Sequence, residues 1–123
     1  MATHPLPSAE SICRLLACRT FGTATELALQ DGIESALAQE GLEYSREHVL
    51  GRQDRPDFLV GAVAVEVKTK GSLALALRQI ARYLAHPEVA AVVLVGTPAW
   101  LKLVPGELAG KPVYSVRLLG SLL

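Results

Sequence analysis

The order of apolar and polar residues predicts helices and strands that alternate along most of the chain. Apolar positions recur at helical spacing in three segments, and shorter segments rich in Val, Ile and Leu have the pattern of strands. The predicted helices are Ser8–Cys18, Thr25–Gly41 and Leu73–His86, the last with Ser72 as its N-cap. The predicted strands are Tyr44–Leu50, Asp57–Val60, Val63–Lys68, Val89–Val95 and Val113–Leu118. This order predicts an α/β fold whose mixed central sheet, with an antiparallel β-hairpin and later strands, is flanked by helices.

Residues 57–68 predict a β-hairpin with one apolar face and one charged face. Gly61 and Ala62 suit a two-residue type II′ turn, and this turn places Asp57 directly opposite Glu66. Because side chains alternate along a strand, Lys68 shares the face of the two acids. The other face is apolar and consists of Phe58, Val60, Val63, Val65 and Val67. Opposed like charges destabilise a sheet, so the pattern predicts a cation between the carboxylates.

The residue types on the charged face indicate which cation to expect. Hard carboxylate oxygens on one small patch favour Mg²⁺ or Mn²⁺, which bind one or two carboxylates and complete their shell with water and phosphate oxygens. An alternative is a solvated hairpin face on which Glu66 and Lys68 form an ordinary ion pair. Both interpretations fit the hairpin taken alone.

The hairpin resembles the PD-(D/E)XK nuclease superfamily at Pro56-Asp57 and Glu66-Val67-Lys68. The resemblance implies that Asp57, Glu66 and the backbone carbonyl of Val67 bind the metal ion. It also implies that Lys68 positions or deprotonates the attacking water.

A second motif follows on the next predicted helix. Gln79 and Tyr83 are one turn apart, and the pair is similar to the auxiliary Gln-x-x-x-Tyr motif of the RecB-type branch of the superfamily. In that branch the motif helps to hold the site and the DNA. A simpler interpretation is that Tyr83 packs its ring at the helix border while Gln79 is solvated. The resemblance extends over residues 26–95 and implies a restriction-endonuclease-like core in a single nuclease domain of residues 1–123, with residues 1–22 as an N-terminal extension or short helix.

The helix before the hairpin carries a candidate third acid. Glu26 precedes Ile33 by about two helical turns and therefore projects from the inward face. Members of the superfamily often carry an acid on this helix that acts through the water shell of the metal, so Glu26 is the candidate catalytic acid and Glu34 the second choice. Gln30, one turn on from Glu26, is expected to support that acid. Alternatively, Thr23 and Glu26 form a capping box at the start of the helix.

The charges are balanced overall but unevenly distributed. Twelve basic and twelve acidic residues give zero net charge, which argues mildly against a protein that embraces a long stretch of duplex. Basic residues nevertheless concentrate around the proposed site. Those expected to contact DNA phosphates are Arg52, Arg55, Lys70, Arg78 and Arg82. Each of them taken singly also fits an ordinary solvated surface charge.

Composition and length predict one compact domain, since half of the 123 residues are hydrophobic. The sequence has no apolar run long enough to cross a bilayer and no start typical of a secretory signal, so a cytoplasmic protein without membrane contact is expected. Cys13 and Cys18 lack metal-ligand spacing and are expected to be buried thiols.

These features together predict a Mg²⁺-dependent deoxyribonuclease that hydrolyses phosphodiester bonds in DNA replication, recombination or repair. One alternative is a catalytically silent module that keeps the nuclease fold to bind DNA or another protein. Another is a restriction-type or junction-resolving endonuclease that acts as a homodimer through residues 116–123 or Trp100. The sequence leaves exonuclease and endonuclease activity equally open.

Overall fold

The structure, a computed structural model, describes residues 7–119 and contains a mixed sheet with helices on both faces. The helices are α1 (Ala9–Ala17), α2 (Glu26–Gln39) and α3 (Leu73–Leu84), with a 3-10 helix at Ala99–Leu103. The strands are β1 (Ser45–Arg46), β2 (Phe58–Val60), β3 (Val63–Lys68), β4 (Ala91–Gly96), β5 (Glu107–Leu108) and β6 (Lys111–Arg117). Within these residues the strand order is β1-β2-β3-β4-β6-β5, and β4 runs parallel to both β3 and β6. The predicted α/β class with a mixed sheet is therefore confirmed.

Two apolar clusters hold the helices against the sheet, one on each face. Ile12 of α1 and Leu29 of α2 are buried against one face, and Ile80 of α3 is buried against the other. Every residue of β4 is buried, which confirms a strand covered on both faces, although β4 begins two residues later than predicted. Of the two alternatives for residues 1–22, the short helix forms as α1 and packs in the core, while residues 1–6 lie outside the described residues.

The hairpin forms in the predicted register. Phe58 pairs with Val65 and Val60 pairs with Val63, so the same register continued by one residue sets Asp57 opposite Glu66. Gly61 has a φ of 61°, the left-handed backbone that a type II′ turn requires at its first central position. The backbone therefore brings the two acids together before any side chain contributes.

The first strand is shorter than the predicted Tyr44–Leu50. Only Ser45 and Arg46 pair with β2, because Glu47 adopts a φ of 52° and turns the chain out of the extended conformation. The N–H of Glu47 still donates to the Asp57 carbonyl at 2.8 Å, which ties this turn to the start of β2.

The last strand has a hairpin partner that the sequence analysis missed. β5 pairs with the first residues of β6, and Ala109 and Gly110 form the turn with φ values of 54° and 79°. Two successive positive φ values are those of a type I′ turn. β6 begins at Lys111, two residues before the predicted Val113.

The helix ends follow the predicted capping residues. Ser8 and Thr25 cap α1 and α2 by accepting a backbone N–H, and Gly41 follows α2 with a φ of 75°. Thr25 rather than Thr23 is the N-cap, so the predicted capping box between Thr23 and Glu26 does not form. The expectation of two buried thiols is wrong for Cys18, which is exposed at the C-cap of α1.

Close contact between β3 and β4 fixes the backbone of Lys68. Lys68 pairs with Gly96, and a Cβ atom at Gly96 would lie 1.7 Å from the Lys68 carbonyl oxygen. Only glycine permits this approach, and the Lys68 carbonyl then accepts the N–H of Thr97 at 3.1 Å. The end of β3 that carries Glu66 and Lys68 is thus held rigidly by its neighbour.

The apolar residues considered for a dimer interface differ in their exposure. Of the residues considered for a dimer interface, Val116 and Leu118 are buried in the core, whereas Leu119 is exposed and residues 120–123 lie outside the described part of the chain. Trp100 is half-buried and donates its indole N–H to a backbone carbonyl at 3.0 Å. No helix within residues 7–119 has the length and apolar character needed to cross a membrane.

Lys111 closes the C-terminal end of α3, and its loss is expected to destabilise the fold. Its ammonium group donates to the carbonyls of Leu84, His86 and Val89 at 2.8, 3.3 and 2.6 Å. Lys111→Met leaves these carbonyls without a cationic donor, so we expect the free energy of unfolding in urea to fall by about 2 kcal/mol. Lys102→Met, at an exposed lysine, is the matched control and should change it by less than about 0.5 kcal/mol. Equal stability of the two variants would contradict this assignment.

Candidate active site

Asp57 and Glu66 lie together where β2 begins and β3 approaches its end. The Asp57 N–H donates to Glu66 Oε1 at 3.3 Å, and the Val67 N–H donates to Asp57 Oδ2 at 2.7 Å. Glu66 is almost completely buried, with 4% of the residue's surface exposed, and Asp57 is partly buried. Two acids with little access to water thus share one small volume.

The burial of the two carboxyl groups makes their negative charges unfavourable. Burial, followed by the nearby charge of Glu66, raises the pKa of Asp57 to about 7. Burial also raises the pKa of Glu66, although the Lys68 ammonium and the Tyr83 hydroxyl oppose this shift. A bound cation would compensate the negative charges of the two carboxylates, so the electrostatics suit a cation site.

Lys68 and Tyr83 both contact Glu66. Lys68 Nζ lies 3.3 Å from Glu66 Oε2, and the Tyr83 hydroxyl donates to Glu66 Oε1 at 3.0 Å. Tyr83 is 1% exposed, so the interpretation of a ring at the helix border is wrong. The buried side of α3 consists of Ala76, Ile80, Tyr83 and Leu84.

The Val67 carbonyl lies on the side of β3 that faces β2. The N–H of Val67 is bonded to the Asp57 side chain, and in an extended strand the N–H and C=O of one residue point to the same side. The next carbonyl along, that of Lys68, points the opposite way to Thr97. Val67 therefore turns a backbone oxygen to the side of β3 on which Asp57 lies.

These residues suit a magnesium ion. Asp57, Glu66 and the Val67 carbonyl offer hard oxygen donors, and Mg²⁺ needs only one or two carboxylates when water and phosphate complete its octahedron. Within residues 7–119, no three or more His, Cys, Asp and Glu side chains are grouped so that they could hold a metal ion. The predicted donor set contains two such side chains, and it remains a prediction.

The two candidate helix acids face different surroundings. Glu26, the first residue of α2, lines a groove together with Lys68, and its charge contributes to the raised pKa of Asp57. Glu34 instead accepts from Arg46 Nη1 at 3.1 Å and is engaged in that ion pair. Position thus favours Glu26 over Glu34 as the third acid, and its catalytic role remains a prediction.

A groove of about 480 Å³ runs along most of α3. Its charged and amide-bearing lining residues are Glu26, Lys68, Lys70, Arg78, Gln79 and Arg82. Asp57 and Glu66 do not line the groove themselves; Lys68 connects the two, because it lines the groove and contacts Glu66. Four cations against one acid make the groove suited to a polyanion.

The other predicted phosphate contacts lie in a loop beside the groove. Arg52 and Arg55 are exposed there and do not line the groove. Asp54, between them, accepts from Arg82 Nε at 2.9 Å and lies 2.8 Å from His86 Nε2. These contacts lower the pKa of Asp54, with the hydrogen bond to His86 as the largest cause, and they fasten the loop to α3.

A set of contacts behind Asp57 was not found from the sequence. Gln30 donates to Asp57 Oδ1 at 3.2 Å and accepts from Arg46 Nη2 at 3.2 Å. The sequence analysis expected Gln30 to support Glu26, one helical turn away, and did not predict its contact with Asp57. The helical spacing of Gln30 from Glu26 was a usable signal for Gln30, but nothing in the sequence indicated that Arg46 would reach α2.

Comparison with protein-family models, with curated proteins and with solved structures finds no match to the chain. The fold and the site together define an α/β protein with a buried pair of acids beside a cationic groove.

The hydroxyl of Tyr83 is expected to support Glu66 in its charged form. Tyr83→Phe keeps the ring and removes the hydrogen bond to the carboxylate, so we expect about 1–2 kcal/mol less stability and about tenfold slower turnover in the nuclease reaction that the sequence predicts. The matched control is Tyr114→Phe, which removes a similar bond of 2.9 Å to Glu10 on a more exposed surface. Chemical denaturation and single-turnover cleavage measure the two effects. Cleavage by Tyr83→Phe at the control rate would exclude this role.

Proposed function

We propose that this protein is a Mg²⁺- or Mn²⁺-dependent nuclease that hydrolyses phosphodiester bonds in DNA. The observation that carries the proposal is the pairing of partly buried Asp57 with buried Glu66, held in register by a β-hairpin, with Lys68 in contact with Glu66. Buried acids placed side by side cost stability unless they serve a cation or a proton. The same residues resemble the PD-(D/E)XK signature, in which acids at these positions bind a metal ion, and this resemblance supports a bound cation as the compensating charge.

Asp57, Glu66 and the Val67 carbonyl would hold the metal ion in this proposal. When bound, it would polarise the scissile phosphate and make a water molecule more acidic. Asp57 and Glu66 remain ionised during the reaction, supported by the N–H of Val67 and the hydroxyl of Tyr83. Their fixed hydrogen bonds hold the oxygens ready before the substrate arrives.

Lys68 is proposed to orient the attacking water. Its backbone is fixed by the close contact with Gly96, while its side chain spans from Glu66 to the groove. An ammonium group here stabilises negative charge that develops on the attacking oxygen and on the phosphate. The alternative, proton transfer to the Lys68 amine, uses the same position.

The groove is proposed to bind the DNA backbone. Lys70 and Arg78 form no ion pair among the described residues, so both are available for phosphate oxygens. Arg82 is shared with Asp54 and contributes less charge. Gln79 lines the groove one turn from Tyr83 and would contact the sugar-phosphate backbone.

A cytoplasmic location belongs to the same proposal.

Cleavage of labelled DNA tests the proposal. Single-stranded, duplex and branched DNA of one sequence are incubated with the full chain and Mg²⁺ or Mn²⁺, with and without EDTA. We expect cleavage of at least one substrate that EDTA abolishes and excess Mg²⁺ restores. A chain that binds these DNAs but cleaves none of them with either metal would instead be the silent nuclease-fold module.

A further inference from the structure

The hydrogen bonds behind Asp57 form a chain that begins at a fixed arginine. Arg46 Nη1 donates to Asp31 at 2.8 Å and to Glu34 at 3.1 Å. Its guanidinium carbon lies 5.7 Å from the ring centre of Phe58, the residue opposite Arg46 in the sheet. Two ion pairs and an aromatic ring therefore fix the guanidinium group.

Gln30 connects this arginine to Asp57 and has a defined orientation. A guanidinium group can only donate hydrogen bonds, so the amide oxygen of Gln30 must face Arg46. The amide nitrogen then faces Asp57 and donates to Oδ1. The other oxygen, Oδ2, accepts from the Val67 N–H, and with one fixed donor on each oxygen the plane of the carboxylate is set.

Gln30 is uncharged, and this matters for cation binding at Asp57 as much as its hydrogen bonds do. An arginine in direct contact with Asp57 would neutralise the carboxylate and compete with a metal cation. The Gln30 amide is held in place by Arg46 and in turn orients Asp57. It also separates the guanidinium group from Asp57 by one side chain. Asp57 thereby has a defined orientation, and no guanidinium group contacts it in competition with a cation.

We propose that Gln30, fixed by Arg46, is a positioning residue that orients the Asp57 carboxylate for metal binding. The inference rests on the proposed function for the role of Asp57, but the orientation of Asp57 is measurable without metal or DNA. Partners behind metal ligands are commonly required for affinity, and their loss typically weakens metal binding about 10- to 100-fold.

The test uses Gln30→Met, which keeps the length and helical preference of the side chain and removes both hydrogen bonds. Gln39→Met is the matched control, because Gln39 also lies on α2 and accepts from an arginine, Arg19, at 2.6 Å. The first measurement is the NMR signal and hydrogen exchange of the Val67 amide in metal-free protein. The second is the affinity for Mn²⁺ by calorimetry.

We expect the Val67 amide in Gln30→Met to shift and to exchange about tenfold faster, because Asp57 is free to rotate away from it. The affinity for Mn²⁺ should fall about tenfold. Gln39→Met should match wild type in both measurements. A Gln30→Met protein with a wild-type Val67 amide and wild-type Mn²⁺ affinity would overturn the inference.

A double-mutant cycle separates Arg46 from its other contacts. Arg46→Met should alter the Val67 amide in the wild-type background and should add nothing in the Gln30→Met background, since its effect on Asp57 passes through Gln30. Equal effects in both backgrounds would overturn the proposed role of Arg46. If the Val67 amide responds as expected while wild type binds no Mn²⁺, Gln30 still orients Asp57 and the nuclease proposal alone fails.

Discussion

Glu66→Gln is expected to slow Mg²⁺-dependent cleavage of DNA by about 1,000-fold or more. The substitution removes one of two charged oxygen ligands, so the site loses both affinity for the cation and the field that polarises the phosphate. The fold should persist, because the amide oxygen of the new side chain still accepts from the Tyr83 hydroxyl and the Asp57 N–H. The loss is measured under single-turnover conditions with saturating Mg²⁺.

The matched control for this variant is Glu107→Gln. Glu107 is also a strand glutamate of the same sheet, but it is exposed on the edge strand β5 and takes no part in the proposed site. We expect it to cleave at the wild-type rate. Cleavage by Glu66→Gln within about threefold of wild type, with normal dependence on Mg²⁺, would contradict the assignment of Glu66.

The second large effect concerns stability without metal. Asp57→Asn is expected to be more stable than wild type by about 2 kcal/mol when both are unfolded in EDTA at about pH 8. The reason is the Asp57 pKa of about 7, well above the ordinary value of 3.8 that the unfolded chain has. Ionising this buried carboxyl group destabilises the native state, and an amide avoids that cost. The lost hydrogen bond from Gln30 offsets part of the gain.

The sign of this effect sets its dependence on pH. Between about pH 4 and pH 7 the folded state holds a proton on Asp57 that the unfolded state has released, so wild-type stability falls as the pH rises through this range. Asp57→Asn should lack this part of the slope, and the two proteins should approach each other at about pH 4. Added Mg²⁺ should stabilise wild type and leave the variant unchanged. A wild type more stable than Asp57→Asn in EDTA at both pH values would rule out an uncompensated charge at Asp57.

The part of the site that depends on local rules was predictable from the sequence. Gly61-Ala62 fixed the hairpin turn, and the turn fixed the register that brings Asp57 opposite Glu66. Alternation along β3 then placed Lys68 on the same side, where it contacts Glu66. Each of these steps involves neighbours in a single hairpin, for which backbone geometry decides the outcome.

Contacts between distant segments were beyond the sequence analysis. The relay from Arg46 through Gln30 requires the packing of α2 beside β1, and the contacts of Asp54 with Arg82 and His86 require a loop folded onto α3. Helical periodicity allowed Tyr83 to lie at the border of the apolar face of α3. The packing of α3 on the sheet instead buries Tyr83. Such contacts depend on how elements dock, which periodicity within one element does not specify.

Two strands have bounds that the pattern of apolar and polar residues did not predict. Tyr44–Leu50 has a strand-like composition, yet the positive φ of Glu47 ends β1 after two residues. β5 is only two residues long, too short for an alternation to be recognised, and its turn uses Ala109 in a conformation unusual for alanine. In both cases a single backbone conformation, rather than hydrophobicity, decides the structure.

Calorimetric titration of metal-free wild type and Asp57→Asn with Mn²⁺ tests the central claim most directly. The account predicts saturable binding to wild type, with a dissociation constant below about 1 mM, and at least about 100-fold weaker binding to the variant. Absence of binding to wild type, or equal binding to both proteins, would contradict a metal site at Asp57 and Glu66.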